Sequence, residues 1–220
     1  IELRIAASFA KDQHMIEAFK EGRDIHATTA SKVFKVGLDE VDANMRRKAK
    51  AVNFGLIYGM SAFGLSERLK VPRAEAKEIM EAYFDEFSAI KEYMDRIIKQ
   101  AHDTGYVETI TGRRRYLRDI NSRNYTLRSY AERNAINAPI QGSAADIIKV
   151  AMIDIDQWIR QEGLRSRMIL QVHDELVFDV HREELEQLKP MVEKLMKEAL
   201  PLEVPMEIEI GVGQNWLEAH

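Results

Sequence analysis

The run from Arg46 to Gly59 constrains the chain most, because it places cations and aromatic rings along one side of a single helix. At about 100° per residue, side chains of both classes fall within an arc of roughly 120° on such a helix. They are Arg46, Arg47, Lys50, Phe54, Ile57 and Tyr58. A separate arc carries Ala49, Val52 and Leu56, and this is the face that a hydrophobic core requires. The first arc is therefore available for another purpose.

Two uses of this arc are open from the run alone. A basic helix face lying in solvent accounts for the arginines and the lysine. Phe54 and Tyr58, one turn apart on the same side, are less typical of a solvated face. Gly55 and Gly59 let other groups approach the helix closely. The aromatic residues favour a surface that holds phosphates with its cations and packs its rings against a nucleotide.

The composition is that of an ordinary globular protein and excludes several other classes. A length of 220 residues with 45% hydrophobic residues predicts a folded core in one large domain or two small ones. The chain has no cysteine, which excludes disulfides and thiolate zinc sites and favours the cytoplasm. A net charge of −4 argues against general polyanion binding, but basic clusters at 46–50 and 113–115 leave nucleic acid open as a partner. No apolar run is long enough to cross a membrane.

Hydrophobic periodicity predicts an α+β chain in which helices dominate and a small antiparallel sheet collects near the C-terminus. Helices are expected over 1–9, 15–21, 25–34, 40–58, 64–69, 73–104 with a break near Phe87, 125–161 with a bend or break at Pro139, and 183–199. Strands are expected over 106–110, 115–120, 168–172, 176–180 and 205–212.

The residues His173, Asp174 and Glu175 lie between two β-rich runs and form the predicted tip of a tight hairpin. Carboxylates between apolar strands are costly unless they stay in solvent or meet a cation. The tip is therefore either a solvated turn or a metal site. Mg²⁺ prefers oxygen ligands and keeps several waters, so one or two carboxylates plus substrate phosphates are enough to hold it. Together with the cationic helix, the metal interpretation indicates phosphoryl transfer.

These segments, in this order, resemble the family A DNA polymerases. Residues 46–59 are similar to motif B of that family, and residues 172–175 are similar to motif C. Residues 1–4 resemble the end of motif A, and further similarity occurs at 24–30, 112–116, 137–142 and 215–216. The resemblance implies an incomplete right-hand polymerase fold, with mostly helical fingers and a small antiparallel palm sheet. It assigns residues 1–15 to the palm, 16–105 to the fingers and 106–220 to the palm.

The resemblance also implies roles for individual residues in template-directed DNA synthesis. A deoxynucleoside triphosphate is expected to bind Glu2, His26, Arg46, Lys50, Phe54 and Tyr58. Glu2 is the expected steric gate against a ribose 2′-hydroxyl, and Lys50 the expected proton donor to pyrophosphate. Primer–template DNA is expected to contact Arg47, Arg115, Arg133, Asn137, Gln141 and His173. The expected catalytic residues are Asp174, Glu175 and Lys50, with Asp174 as a ligand of Mg²⁺.

In that family two aspartates hold two Mg²⁺ ions, and the second aspartate precedes the segment that Ile1–Arg4 resembles. The sequence opens in a helical pattern without a capping residue, which predicts that it is the C-terminal part of a longer polymerase. We therefore expect it to be inactive alone and to require the upstream palm and thumb as a partner. The expected location is the bacterial cytoplasm, at the nucleoid.

Three other functions remain open from the sequence. A single-subunit RNA polymerase shares the arginine, lysine and tyrosine–glycine pattern of motif B, but Glu2, Phe54 and Glu175 favour the DNA enzyme. A fragment with one aspartate could also bind DNA without catalysing a reaction. The third alternative is a structural helical domain in which the motifs occur by chance.

Overall fold

Helices form most of the chain, and the computed structural model describes all 220 residues. The helices are α1 (Glu2–Ala10), α2 (Gln13–Lys20), α3 (Ile25–Phe34), α4 (Ala43–Ile57), α5 (Ala62–Leu69), α6 (Arg73–Glu86), α7 (Ser88–Thr104), α8 (Tyr125–Gln161), α9 (Leu185–Glu198) and α10 (Trp216–Ala219). The strands are β1 (Tyr106–Glu108), β2 (Arg114–Tyr116), β3 (Arg167–Val172) and β4 (Glu175–Asp179). The predicted α+β class with dominant helices is confirmed.

Side-chain caps set the start of several helices. Asp12, Asp24, Asp42, Ser61 and Asn124 each accept a hydrogen bond from a backbone N–H in the first turn of the helix that follows. The cap at Asp42 begins α4 at Ala43, so the start predicted at residue 40 was wrong. Residues 38–40 instead form a short 3₁₀ turn.

The two predicted interruptions of long helices have different outcomes. The break near Phe87 is confirmed, because this residue ends α6, precedes α7 and is fully buried beside Tyr83. A break at Pro139 was wrong, because α8 is continuous from Tyr125 to Gln161. Pro139 lacks an N–H, but Ile136 and Ile140 on either side are buried in the core and hold the helix together.

The strands form two separate two-stranded antiparallel sheets, β1–β2 and β3–β4. The strand predicted over 205–212 was wrong, because this segment has no regular structure. β-propensity yields a strand only where a partner strand accepts and donates backbone hydrogen bonds. Here the segment has α1 beside it instead of a partner strand. Arg4 Nη1 donates to the Pro205 carbonyl at 2.6 Å, and the Val204 N–H donates to Ser8 Oγ at 3.3 Å.

A large core surrounds α1, which packs against α2, α4, α7 and α8. Ile5 and Ala7 of this helix are completely buried. Ile57 also belongs to this core, so the part of the predicted arc that it occupies is buried and is not available for another purpose. A smaller core joins the second half of α8 to α9 beneath the β3–β4 hairpin. None of the helices has the length and apolar character needed to cross a bilayer.

The Glu184 carboxylate fastens the turn before α9 to the start of β3. It accepts hydrogen bonds from the backbone N–H groups of Arg165 and Ser166, and from Ser166 Oγ at 2.6 Å. Ser166 Oγ in turn accepts from the His181 N–H at 3.0 Å. These bonds, led by those from Arg165 and Ser166, lower the pKa of Glu184 from 4.5 to about 2. The base of the hairpin is therefore held by an ionised carboxylate.

We expect Glu184→Gln to destabilise the chain at neutral pH and to reduce its pH dependence in acid. The lowered pKa means that the carboxylate stabilises the fold above pH 4.5 and that this contribution is lost as pH falls from there towards about 2. Urea midpoints of both proteins between pH 7 and pH 3 measure the difference. Glu183→Gln is the matched control, because 81% of that side chain is exposed. A wild-type advantage that is constant over this range would contradict the prediction.

Candidate functional site

The packing of α3 against α4 brings the predicted nucleotide-binding residues of both helices together. Asp24 caps α3 through Oδ1, which accepts from the His26 N–H at 2.9 Å, and pairs through Oδ2 with Arg46 Nε at 2.5 Å. Partial burial raises the pKa of Asp24, but the hydrogen bonds from Arg46 and the backbone outweigh burial and lower it overall. One carboxylate thus fixes both the helix start and the Arg46 guanidinium.

The His26 imidazole lies between this ion pair and the aromatic part of α4. Its Nδ1 is 3.0 Å from Nδ2 of the buried Asn53, and its ring centroid is 6.0 Å from that of Phe54. Burial lowers the pKa of His26; Asp24 opposes the shift, and the positive charges of Arg46 and Lys50 add to it. His26 is therefore a neutral side chain beside two cations at physiological pH.

The end of α4 meets α8 at Gly59. Gly59 has a φ of 73°, in the left-handed region. Two backbone hydrogen bonds close the end of α4 here: the Gly59 N–H donates to the Leu56 carbonyl, and the Met60 N–H donates to the Gly55 carbonyl. A β-carbon at this position would come within 3.2 Å of Ile136 Cδ1 on α8. Glycine therefore permits both the left-handed turn and the close approach of the two helices.

This contact encloses the Tyr58 hydroxyl between Glu2 and Gln141. The hydroxyl is buried and forms no hydrogen bond of good geometry with either neighbour. Burial raises the pKa of Tyr58, and the Glu2 carboxylate raises it further. The ring continues the aromatic row of α4, with its centroid 6.5 Å from that of Phe54. Three predicted site residues from α1, the end of α4 and α8 thus meet at one point.

The predicted DNA-contacting residues of α8 lie near the same junction. Arg133 and Gln141 are exposed, and Asn137 is partly buried with its Oδ1 lacking a hydrogen-bond partner. The Arg133 guanidinium lies 5.9 Å from the ring centroid of the exposed Tyr130. Spacing of four residues places the three predicted side chains along one side of α8, as the sequence indicated. Their free donors and acceptors are suited to groove atoms of a duplex.

The β3–β4 hairpin carries Asp174 at its tip, in a two-residue turn whose first residue, His173, has a φ of 55°. The Asp174 side chain is exposed and has no ion pair or hydrogen bond within the chain. Glu175 lies beside it and is 3.4 Å from His220 Nδ1. The α-amino group of Ile1 faces Asp174: burial lowers its pKa, and the carboxylate opposes this shift. The tip therefore lies next to the start of α1.

The donor chemistry at the tip fits part of a magnesium site. Asp174 offers oxygen ligands that are not engaged by the protein, as a site for a hard cation requires. No group of three metal-binding side chains occurs in the structure. The residues present thus supply one carboxylate, with Glu175 adjacent, rather than a complete binding set.

Two predicted DNA-contacting arginines lie outside this arrangement. Arg47 is exposed on α4 and donates to Asn44 Oδ1 at 2.8 Å. Arg115 is exposed in β2 and forms no side-chain hydrogen bond or ion pair within the chain. Neither side chain forms a hydrogen bond or ion pair with another predicted site residue.

Asp146, which was not among the predicted site residues, fastens the β1–β2 loop to α8. This carboxylate is 5% exposed and accepts hydrogen bonds from Thr109 Oγ1, Thr111 Oγ1 and Arg113 Nε at 2.5, 2.6 and 2.6 Å. Ser143 on the next turn of α8 accepts from the Ile110 N–H at 2.8 Å. The basic loop is thereby fixed beside the part of α8 that carries Gln141. A buried aspartate within an apolar helix face was the available signal.

Asn53 was likewise not among the predicted site residues, although it lies within the run from Arg46 to Gly59. It is completely buried on the apolar side of α4 and links Thr29 and His26 of α3. An amide in a core position indicates a specific hydrogen-bonding partner. The sequence does not show that the partner is His26.

Comparison with known proteins bears on this arrangement over the whole chain. The sequence profile described as DNA polymerase family A matches residues 1–218. The chain belongs to this family. It is 51% identical over 219 residues to DNA polymerase I of Geobacillus stearothermophilus and 48% identical over 219 residues to DNA polymerase I of Bacillus subtilis. Each alignment covers 100% of this chain and 25% of the relative, so the chain spans about a quarter of the length of these proteins.

A solved structure shows the same fold. The POL domain of Pol1 from M. smegmatis, in complex with DNA primer-template and dNTP, matches with a TM-score of 0.97 and 50% sequence identity. The match covers 100% of this chain and 39% of that domain chain. The predicted family and the predicted partial polymerase fold are confirmed.

We expect Asp146→Asn to lower the free energy of unfolding by about 2 kcal/mol, because a hydrogen bond to a charged group contributes about 1.5–3 kcal/mol. Cleavage by trypsin near Arg113 should also become faster, since the loop loses its attachment to α8. Urea denaturation and a timed digest measure the two effects. Asp156→Asn is the control, because that aspartate is about half exposed, with 52% side-chain exposure, and pairs only with Arg160 on its own helix. Equal stability of the two variants would contradict the assignment.

Proposed function

We propose that this chain forms the fingers and most of the palm of a DNA-directed DNA polymerase, which extends a primer by copying a template. The observation that carries the proposal is the row of side chains that runs from the Asp24–Arg46 ion pair through the rings of His26 and Phe54 to the enclosed Tyr58 hydroxyl. It combines cations for a triphosphate with a row of rings and a carboxylate for the sugar and base. The primer-template and dNTP named for the M. smegmatis domain support the same partners here.

The geometry supports a division of labour within the nucleotide site. Arg46 and Lys50 neutralise triphosphate charge, and the ion pair with Asp24 orients the Arg46 guanidinium. Lys50 is exposed one turn further along α4 and acts as the proton donor to pyrophosphate. Phe54 packs against the sugar and base. Glu2 acts as the steric gate, placed where a 2′-hydroxyl would lie, and Tyr58 stacks over the templating position and moves as the fingers close.

DNA lies along α8 and the loop that precedes it in this proposal. Arg133, Asn137 and Gln141 contact the minor groove, where acceptors shared by all correct pairs allow a test of shape without readout of sequence. Arg47 and Arg115 contact template or phosphates, and a protein with such contacts binds more weakly as salt rises. His173, at the hairpin tip, contacts the primer terminus.

Two Mg²⁺ ions are the cofactors we propose, held in part by Asp174 with Glu175 in an auxiliary position. Bound metals would activate the primer 3′-hydroxyl and stabilise the charge on the leaving phosphates. The proposed second aspartate belongs to a segment upstream of Ile1 in the complete polymerase. This division explains why the hairpin tip offers one free aspartate beside the start of α1.

The remaining assignments follow from this proposal. Residues 1–15 and 106–220 belong to the palm, and residues 16–105 form the fingers. The upstream palm and thumb are the protein partner, and without them the chain binds DNA but does not extend a primer. A bacterial cytoplasm, at the nucleoid, is the proposed location.

Asp174→Asn is the central test of the proposal. In a polymerase domain that joins these residues to the preceding palm and thumb, we expect primer extension to fall by at least roughly 100-fold. Metal ions contribute several kcal/mol to such reactions, and about 1.4 kcal/mol is a factor of ten. Primer–template affinity should stay within about threefold. Asp179→Asn, in the same strand pair, is the control. Normal extension by Asp174→Asn would remove this residue from the metal site.

Glu2→Ala tests the steric gate. We expect discrimination against ribonucleotides to fall by roughly fivefold or more, because one shape contact contributes about 1–3 kcal/mol and about 1.4 kcal/mol is a factor of ten. Competing incorporation of matched ribo- and deoxynucleotides in the same polymerase domain measures the ratio. Glu17→Ala changes an exposed glutamate on α2 and serves as the control. If both variants discriminate like the wild type, Glu2 does not act as the gate.

A further inference from the structure

The buried amide of Asn53 is the polar group in the α3–α4 contact that the proposed function leaves unexplained. Asn53 and Thr29 are each 0% exposed. An amide in such surroundings costs free energy unless its hydrogen-bonding groups are satisfied. Its Oδ1 is 3.1 Å from Thr29 Oγ1, and its Nδ2 is 3.0 Å from His26 Nδ1. The amide therefore joins a core threonine to the half-buried imidazole.

The directions of these bonds follow from the placement of the amide, with Oδ1 towards Thr29 and Nδ2 towards His26. The Thr29 hydroxyl lies 2.8 Å from the Ile25 carbonyl and 3.1 Å from Asn53 Oδ1, and its single hydrogen is shared between these two acceptors. With Oδ1 accepting, the Nδ2 amino group faces the imidazole and can act only as a hydrogen-bond donor. His26 Nδ1 must then accept through its lone pair. An imidazole that accepts at Nδ1 is neutral and carries its proton on Nε2.

We propose that Asn53 is a positioning residue that holds His26 as its neutral Nε2–H tautomer, so that the imidazole donates a hydrogen bond to a phosphate oxygen. The tautomer is a property of the free chain. The identity of the phosphate, as that of a nucleoside triphosphate, rests on the proposed function.

The charges around His26 suit a neutral donor. Asp24 faces the ring from the start of α3, while Arg46 and Lys50 face it from α4. An imidazolium would be repelled by these two cations, and burial adds to the lowering of its pKa. A bare Nε2 lone pair would instead repel a phosphate held by the same cations. The Nε2–H tautomer avoids both repulsions and adds a directed donor beside the two cationic side chains.

A second arrangement of the Asn53 amide also satisfies its hydrogen-bonding groups, so an experiment can distinguish the two. If the Asn53 amide were turned by 180°, Oδ1 would accept from Nδ1–H and Nδ2 would donate to Thr29 Oγ1. His26 would then present an acceptor at Nε2. The position of one proton therefore decides between a phosphate donor and a side chain that cannot donate to phosphate.

Nitrogen NMR of the 220-residue chain measures that proton directly and needs no nucleotide. Long-range ¹H–¹⁵N correlation at pH 7 distinguishes protonated from unprotonated ring nitrogens, and His26→Gln assigns the signals. We expect an unprotonated Nδ1 and a protonated Nε2. A protonated Nδ1 in the wild type would overturn the proposal, whatever the outcome of the polymerase tests.

Asn53→Asp tests whether Asn53 causes the tautomer. A carboxylate offers Nδ1 only acceptors, so we expect Nδ1 to gain a proton. His102, whose ring bonds Asn121 and Glu132, should keep its wild-type signals as an internal control. A folded variant with an unprotonated Nδ1 would overturn the proposal.

Thr29 provides a second pair of variants in case the buried carboxylate prevents folding. Thr29→Val removes the donor that fixes Oδ1 and should give a mixture of His26 tautomers, whereas Thr29→Ser keeps the hydroxyl and the wild-type tautomer. Identical His26 signals in both variants would overturn the role of the relay.

Inorganic tripolyphosphate serves as the probe for the phosphate contact. In the wild-type chain we expect its addition to shift the His26 Nε2–H signal, with a smaller effect at His102. An unchanged His26 signal at saturating tripolyphosphate would overturn the donor role. Loss of DNA synthesis in Asp174→Asn concerns the hairpin alone, so failure of the polymerase proposal and failure of this inference are distinguishable.

Discussion

The contact between α3 and α4 is the interaction on which the candidate site depends. Three polar links cross it: the Asp24–Arg46 ion pair at its edge, and within it the hydrogen bonds of Asn53 with His26 and Thr29. Ala49 and Val52 of α4 are completely buried, while Arg46 and Lys50 of the same helix remain exposed. The core thus fixes the orientation of α4, and the polar links set the orientation of individual site residues.

Three partly or fully buried polar side chains share one physical role. Glu184, Asp146 and Asn53 each form two or more hydrogen bonds with a neighbouring segment. Each lies behind a charged element that faces solvent: the acidic hairpin, the basic β1–β2 loop and the cationic face of α4. Because a buried polar group left unpaired is costly, such residues hold flexible segments in one arrangement. These three residues therefore contribute both to the stability of the fold and to the placement of the charged elements.

The sequence predicted the fold and the candidate site to different extents. Capping aspartates and periodicity predicted α3 with its correct ends, and the break at Phe87 was confirmed. The wrong start at residue 40 has a local cause, the cap at Asp42, whereas the errors in the break at Pro139 and the strand over 205–212 depend on neighbours that are distant along the chain. Ile57 shows the same limit, since helical geometry placed it with the cations and the core of the folded chain buried it. The structure brings some of the predicted site residues together, and their functional roles remain predictions.

Residue types and their spacing along the chain determined the family, the dominance of helices and the candidate residues, because these features depend on local periodicity and on motifs that are contiguous. The tertiary structure decided which of them meet. Glu2, Tyr58 and Gln141 are distant in sequence and converge because Gly59 allows α4 to approach α8. The partners of Asp146 and Asn53 were likewise set by packing, since a hydrogen bond between distant segments leaves no periodic pattern in the sequence.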